Sequence, residues 1–119
     1  MCMNTALHPV AHHSSEDADF ACSACGRWVK RAVTLSDGRM LGMDCAATAM
    51  GRARSRSVYA QIEIDALRAT AEAAGRSFAK CNPRPRRDAP AFRAWVEIAA
   101  NANPYPINSF QYHAFAGAL

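Results

Sequence analysis

The sequence predicts an α+β fold in which a cysteine-bearing β-hairpin over residues 20–50 is followed by a mainly helical C-terminal part. Two observations support this prediction. Apolar residues alternate on either side of an Asp-Gly pair, which is typical of a hairpin. The segments after residue 50 are rich in alanine and carry apolar residues at helical spacing, which favours helices over strands. At 119 residues the chain has the length of one ordinary domain.

Residues 1–19 are predicted to form a flexible N-terminal arm. They are polar, contain three of the four histidines and show no periodicity. They also lack the basic and apolar segments of a secretory signal, and nowhere does the chain approach the roughly 18 apolar residues that span a bilayer. We therefore expect a soluble, cytoplasmic protein with no membrane contact. Five cysteines in such a chain, an odd number, indicate thiols or metal ligands rather than a disulfide framework.

A β-hairpin is predicted around the Asp-Gly pair at residues 37–38, which is a common hairpin turn. The strand before the turn alternates, and Val29, Val33 and Leu35 fall on one of its faces. A short return strand follows over residues 40–42. This part of the chain therefore predicts two antiparallel strands with one apolar face.

Four helices are predicted after the hairpin. The first is short, is capped by Asp44 and ends near Gly51, and the second spans residues 58–74, capped by Ser57 and ended by Gly75. The third begins at Asp88 and Pro90 and carries one apolar face, formed by Phe92, Trp95, Val96 and Ala99. The last is capped by Asn108 or Ser109. The prolines within residues 82–87 predict an extended connector. The aromatic residues of the last third predict a core between the last two helices and the long one, with a partner groove as the alternative.

Three cysteines have the spacing of a zinc site. Cys22 and Cys25 are separated by two residues and precede Gly26, so a tight turn can direct both thiolates at one ion. Cys45 stands at the predicted start of a helix, where the positive end of the helix dipole favours a thiolate. A knuckle, a hairpin and a helix carrying the third ligand is the order of a treble-clef zinc finger. We therefore predict a structural Zn²⁺ bound by these three cysteines.

The fourth ligand is less well defined by the sequence. Thr48 stands three residues after Cys45, on the same helical face, and threonine is a poor zinc ligand. We favour a histidine of the N-terminal arm, His13 ahead of His12, because the arm is close in sequence to the first knuckle. The alternatives are His8, His113, Cys2, Cys81, Asp44 and a water molecule.

The cysteine segments resemble a known group of proteins. Phe20-Ala-Cys22-Ser-Ala-Cys25-Gly26, followed by Gly42-Met-Asp-Cys45-Ala46, is similar to the CxxCG…GxxCA pattern of small zinc-finger proteins encoded by bacteriophages, plasmids and bacterial genomes. Members often carry an extra His or Cys near the first knuckle, where this chain has Phe20. The resemblance covers residues 20–50 and implies a treble-clef-like fold in an accessory protein of phage or mobile-element type, without implying a specific reaction.

Two basic segments are candidate binding surfaces in a chain with a formal net charge of +4. They contain Arg52, Arg54 and Arg56, and Arg84, Arg86 and Arg87. Arginine side chains of this kind contact phosphates or an acidic protein face. Neither segment contains the interleaved aromatic residues of a base-stacking platform.

These features predict a non-enzymatic, zinc-stabilised binding protein. The sequence has no phosphate-binding loop, no His-Glu-x-x-His helix and no glutamate near the cysteines that would act as a general base. The predicted partner is a host protein or protein–nucleic-acid complex, and an inhibitor of a host nucleic-acid-handling or defence complex is one concrete form. The alternative is a regulator that binds DNA or RNA directly through its arginines. We divide the chain into the arm, a zinc-binding hairpin and helix over 20–56, and a helical part over 57–119 in the same compact unit.

Overall fold

The computed structural model describes residues 7–119 and confirms the α+β fold. Its elements are β1 Pro9–Ser14, β2 Phe20–Ala21, β3 Trp28–Val29, β4 Arg31–Leu35, β5 Met40–Gly42, α1 Met43–Ala49, α2 Arg56–Cys81, α3 Ala91–Ala102 and α4 Phe110–Gly117. No helix in this described part of the chain is long and apolar enough to cross a membrane.

The chain divides into two compact units. The first unit ends at Ala69 and the second runs from Thr70 to Leu119. The boundary between the two units therefore falls inside α2. The N-terminal half of α2 belongs to the first unit and its C-terminal half to the second.

The first unit contains two small antiparallel sheets. One has the strand order β1-β4-β5, and the other pairs β2 with β3. The single strand predicted between Trp28 and Leu35 is divided at Lys30, because β3 pairs with β2 whereas β4 pairs with β1 and β5. The predicted apolar face is confirmed for Val33 and Leu35, which are fully buried.

Strand β1 lies within the segment for which the sequence predicts a flexible arm. It pairs with β4 from Pro9 opposite Leu35 to Ser14 opposite Arg31. Its pairing gives the backbone groups on the second edge of β4 hydrogen-bond partners, which a buried strand requires. No clean alternation of apolar residues marks this strand, so its periodicity did not reveal it.

The hydrophobic core of the first unit lies between the three-stranded sheet and the helices α1 and α2. Its buried members are Cys22, Val33, Leu35, Leu41, Ala46, Ala47, Ile62 and Ala66. Five of these eight are small residues, Cys22, Val33 and the three alanines. The core therefore buries little apolar surface for its number of residues. A metal ion beside such a core can supply stability that apolar burial alone does not.

Helix α1 begins one residue before the predicted N-cap. Gly42 is its N-cap and has no side chain to cap with, and Asp44 lies within the first turn. The Asp44 carboxylate accepts a hydrogen bond from the Tyr59 hydroxyl, which raises the pKa of Tyr59. Asp44 therefore contacts α2 instead of capping α1, and the cysteine at position 45 is the third residue of the helix.

Helix α2 is capped by Ser55 rather than by Ser57. The Ser55 hydroxyl accepts a hydrogen bond from the backbone amide of Val58 at 3.3 Å, and the Ser57 hydroxyl lies 3.2 Å from that of Ser55. We expect Ser55→Ala to reduce the free energy of unfolding by about 1 kcal/mol, the usual contribution of an N-cap. Urea unfolding of Ser55→Ala beside Ser57→Ala checks this, and an equal loss in both variants would contradict the assignment.

Helix α2 also continues past Gly75, where the sequence predicts its end, and reaches Cys81. A Cβ atom built at Gly75 would overlap the carbonyl oxygen of Phe115 and lie 2.8 Å from the Cβ of Ala118. Glycine is present here because α4 approaches the backbone of α2, not because the helix ends. Close helix contacts of this kind require the smallest residue at the contact point.

The second unit has the aromatic core that the sequence predicts. The ring of Phe78 lies 6.5 Å from that of Trp95 and 6.1 Å from that of Phe115, measured between centroids. The Trp95 indole donates a hydrogen bond to the carbonyl oxygen of Asn82 at 2.9 Å. The predicted N-cap of α4 is also confirmed, because the Ser109 hydroxyl accepts a hydrogen bond from the Tyr112 amide at 3.0 Å.

Candidate metal centre

The structure brings together the three cysteines that the sequence selects. The sulfur atoms of Cys22, Cys25 and Cys45 all lie within 4.8 Å of one another. Tetrahedral Zn²⁺ with Zn–S distances of about 2.3 Å places two sulfurs about 3.8 Å apart, so small side-chain rotations suffice. Among residues 7–119 no other group of three or more His, Cys, Asp and Glu side chains gathers in this way.

The knuckle between β2 and β3 holds the first two thiols. The Gly26 amide donates to the carbonyl oxygen of Cys22 at 2.8 Å, and the Cys22 amide donates to the carbonyl oxygen of Arg27 at 2.8 Å. Gly26 has a φ of +74°, a conformation that glycine adopts without the strain of a side chain. The turn closes so that Cys22 and Cys25 approach the same point, as the Cys-x-x-Cys-Gly spacing predicts.

The electrostatics of the site favour a thiolate at Cys22 and oppose a thiolate at Cys45. Burial raises the pKa of Cys22, but hydrogen bonds from the amides of Cys25, Gly42 and Ala24 and from the Cys45 thiol outweigh it and lower the pKa to about 6. Burial, followed by the neighbouring thiols, raises the pKa of Cys45 to about 11. Three thiolates therefore repel one another unless a metal ion neutralises them.

The donor set fits zinc. Three sulfur donors without a carboxylate are typical of structural Zn²⁺ and disfavour Mg²⁺ and Ca²⁺, which take oxygen ligands. Cys22 is only 3% exposed, whereas Cys25 is exposed and Cys45 is half-buried. The group is thus walled by protein behind Cys22 and accessible on the side of the other two cysteines.

His13, our favoured fourth ligand, is not brought into the cysteine group. It lies on β1, and its Nε2 atom forms a hydrogen bond with the Thr34 hydroxyl at 2.8 Å across to β4. Its ring also packs against Phe20, with 5.6 Å between centroids. Both contacts orient His13 within the sheet region.

The alternative ligands are also outside the group. The Nε2 atom of His12 lies 3.8 Å from a carboxylate oxygen of Glu63, and Asp44 is hydrogen-bonded to Tyr59. The remaining candidates within the described residues, also outside the group, are His8, His113 and Cys81. Cys2 lies outside the described residues.

The first basic segment is divided among three different environments. A guanidinium nitrogen of Arg52 lies 3.9 Å from the Asp65 carboxylate, so its charge is partly neutralised. The Nε atom of Arg54 donates to the Thr48 hydroxyl at 3.0 Å and lies beside the cysteines. Arg56 is the first residue of α2. The three side chains do not act as one row.

The second basic segment lies in the second unit. The guanidinium of Arg84 lies over the rings of Phe92 and Trp95, 5.4 and 5.8 Å from their centroids. Arg86 forms an exposed ion pair with Asp88 at 3.5 Å, and Arg87 is exposed. Arg84 therefore stacks on aromatic rings of its own chain. Residues 83–86 form neither helix nor strand and residues 87–88 form a turn, so the predicted absence of helix in this connector is confirmed.

Two features near the cysteines were not predicted. A cavity of about 440 Å³ opens beside the three cysteines and is also lined by Arg27, Arg31 and Arg54. Trp28, the first residue of β3, is 67% exposed. Residues 27–31 read Arg-Trp-Val-Lys-Arg, and this tryptophan among basic residues, just after the Cys-x-x-Cys-Gly turn, is the sequence feature that could have predicted both.

Comparison with known proteins finds no matching family model, no matching curated protein and no matching solved structure.

Proposed function

We propose that this chain is a non-enzymatic, zinc-stabilised binding protein. The observation that supports this best is the group formed by Cys22, Cys25 and Cys45, which joins the knuckle to α1. Strands β2 and β3 are each two residues long, and an isolated two-stranded hairpin is marginal in water. One metal ion binding all three thiolates contributes on the order of 10 kcal/mol toward folding, which is enough to fix this segment.

A binding role suits the surroundings of the site better than catalysis. The carboxylate that lines the cavity, Asp44, is hydrogen-bonded to Tyr59, and among the described residues 7–119 neither a histidine nor a glutamate lines the cavity. A hydrolytic metal site needs a general base within reach of the metal-bound water. The exposed indole of Trp28 is instead the kind of side chain that anchors a protein partner.

The partner that we propose is a host protein or protein–nucleic-acid complex with an acidic surface. The resemblance of residues 20–50 to zinc-finger proteins of phages and mobile elements supports a partner in a host cell. Inhibition of a host nucleic-acid-handling or defence complex is one form of this proposal. The basic residues beside Trp28 supply the charge complementarity.

Metal removal tests the structural role. The purified protein should contain about one zinc ion per chain. A strong thiol-competent chelator should unfold the first unit, because the zinc-bound state is the folded one. The readout is the chemical-shift dispersion of the β4 amide signals in NMR spectra, which should be lost with the chelator and restored by added Zn²⁺. A protein that contains no metal and whose spectrum is unchanged by the chelator would overturn the proposal.

Direct binding to DNA or RNA is the second candidate. Trp28 is exposed between basic residues, and bases of single strands stack on such rings while arginines and lysines contact phosphates. Titration of labelled single strand and duplex at two salt concentrations separates the candidates. Binding that weakens steeply with salt and needs no protein favours the regulator, whereas absence of binding favours a protein partner.

A further inference from the structure

The cavity beside the cysteines, which we call the cysteine cavity, is bordered by the metal-binding group on one side and by arginines on the other. Its volume is about 440 Å³, and Arg27, Arg31 and Arg54 line it together with the three cysteines. We propose that the fourth coordination position of the metal opens into this cavity and takes an external oxyanion, a carboxylate or a phosphate, that Arg54 also binds. This inference rests on the proposed zinc site.

Within the described residues, the chain supplies no fourth ligand to this position. The residue at which a helix-borne fourth ligand would stand is Thr48, three positions after Cys45 on α1. Its hydroxyl donates to the carbonyl oxygen of Asp44 at 3.1 Å and accepts from Arg54 at 3.0 Å. The Thr48 hydroxyl is therefore hydrogen-bonded on both sides, and among residues 7–119 no side chain competes with a ligand from the cavity for the fourth position.

This hydrogen bond places the Arg54 guanidinium beside α1. Thr48 and Cys45 are three residues apart and share one face of α1, so the guanidinium is held on the side of the helix that carries the thiol. Only the Nε atom of Arg54 is used by Thr48. The two terminal nitrogens remain to form the paired hydrogen bonds by which arginine recognises carboxylates and phosphates.

The charges of the metal-binding group, Asp44 and the arginines around the cavity cancel, so a preference for an anion comes from the position of the Arg54 guanidinium and not from a net positive charge. Three thiolates with one Zn²⁺ carry a net charge of about −1, and Asp44 adds one more negative charge. Arg31 is partly neutralised by Glu63 at 3.3 Å. Arg27 and Arg54 line the cavity without an ion pair to any described residue, and they offset both negative charges. A neutral water would leave the guanidinium of Arg54 without the anionic partner that its fork geometry matches.

Cobalt substitution provides the test. The full chain is loaded with Co²⁺, whose visible absorption reports the number and type of its ligands, and is titrated separately with acetate and with inorganic phosphate. We expect a saturable spectral change with at least one anion, and comparison of the two titrations identifies the preferred class. Arg54→Met should weaken this binding at least about tenfold, the effect of losing a charge-assisted hydrogen bond, and Arg54→Lys should weaken it less.

Arg52→Met is the matched control. It removes an arginine two residues away whose partner is Asp65 and which does not line the cavity, so anion affinity should equal that of the wild type. A spectrum that does not respond to either anion would overturn the inference, as would equal weakening by both arginine variants. A Cys2→Ser variant that loses the signature of a fourth thiolate would also overturn it, because the chain itself would then supply the ligand.

The same samples separate this inference from the proposed function. Cobalt bound at about one per chain without a response to anions retains the zinc-stabilised protein and discards the external ligand. Failure to bind cobalt or zinc at all discards both. The metal content of Arg54→Met, measured before titration, shows that any loss of anion binding does not come from loss of the metal.

Discussion

Replacing Cys45 with serine is expected to release the metal and unfold the first unit. Cys45 is the one member of the cysteine group that α1 contributes, so its loss separates the helix from the knuckle. Serine keeps the size of cysteine but supplies no thiolate, the form that binds zinc. Removing a group that binds the metal directly should reduce zinc affinity by more than the roughly 10–100-fold that follows the loss of an outer-shell partner.

The matched control for this experiment is Cys81→Ser. Cys81 is an exposed free cysteine at the last residue of α2, in the second unit. Replacement of Cys81 should leave the zinc content and the circular dichroism spectrum unchanged. Cys45→Ser should lower the zinc content per chain and reduce the circular dichroism signal, because the first unit unfolds. A zinc content of Cys45→Ser equal to that of the wild type would show that Cys45 is not a ligand of the ion.

The parts of the fold that could be predicted are those with local signals. The two cysteines before Gly26 define the knuckle, and Asp-Gly defines the hairpin turn, whatever the rest of the chain does. Strand β1 has no such signal, because its place in the sheet comes from the backbone edge of β4, about 20 residues away in sequence. Pairing between distant segments depends on the whole sheet, and a single-sequence pattern does not report it.

The candidate site divides in the same way. The spacing of Cys22, Cys25 and Cys45 predicts the group, because knuckle and helix start are locally defined. The place of Arg54 depends on how residues 50–55 return from α1 to α2, and no periodicity describes that path. The sequence therefore showed Arg54 as one of three similar arginines, whereas the structure separates it from Arg52 by its hydrogen bond to Thr48.

Gly75→Ala is expected to destabilise the second unit, against the usual rule for helices. In a helix interior, alanine in place of glycine ordinarily stabilises by about 0.5–1 kcal/mol. At Gly75 the added methyl would overlap the carbonyl oxygen of Phe115 and press on Ala118. The first of these is a backbone atom, which cannot rotate away as a side chain does. Overpacking of this kind costs about 1–3 kcal/mol, so the sign of the substitution reverses.

Gly117→Ala distinguishes this contact from a general effect of alanine. Gly117 also lies in a helix of the second unit, and a Cβ there would meet no atom within 4 Å. Its replacement should leave stability unchanged or slightly raised. Urea unfolding followed by Trp95 fluorescence, in a Trp28→Phe background, measures both variants. If Gly75→Ala proved as stable as Gly117→Ala, α4 would not approach α2 as described, and Gly75 would be an ordinary helix glycine.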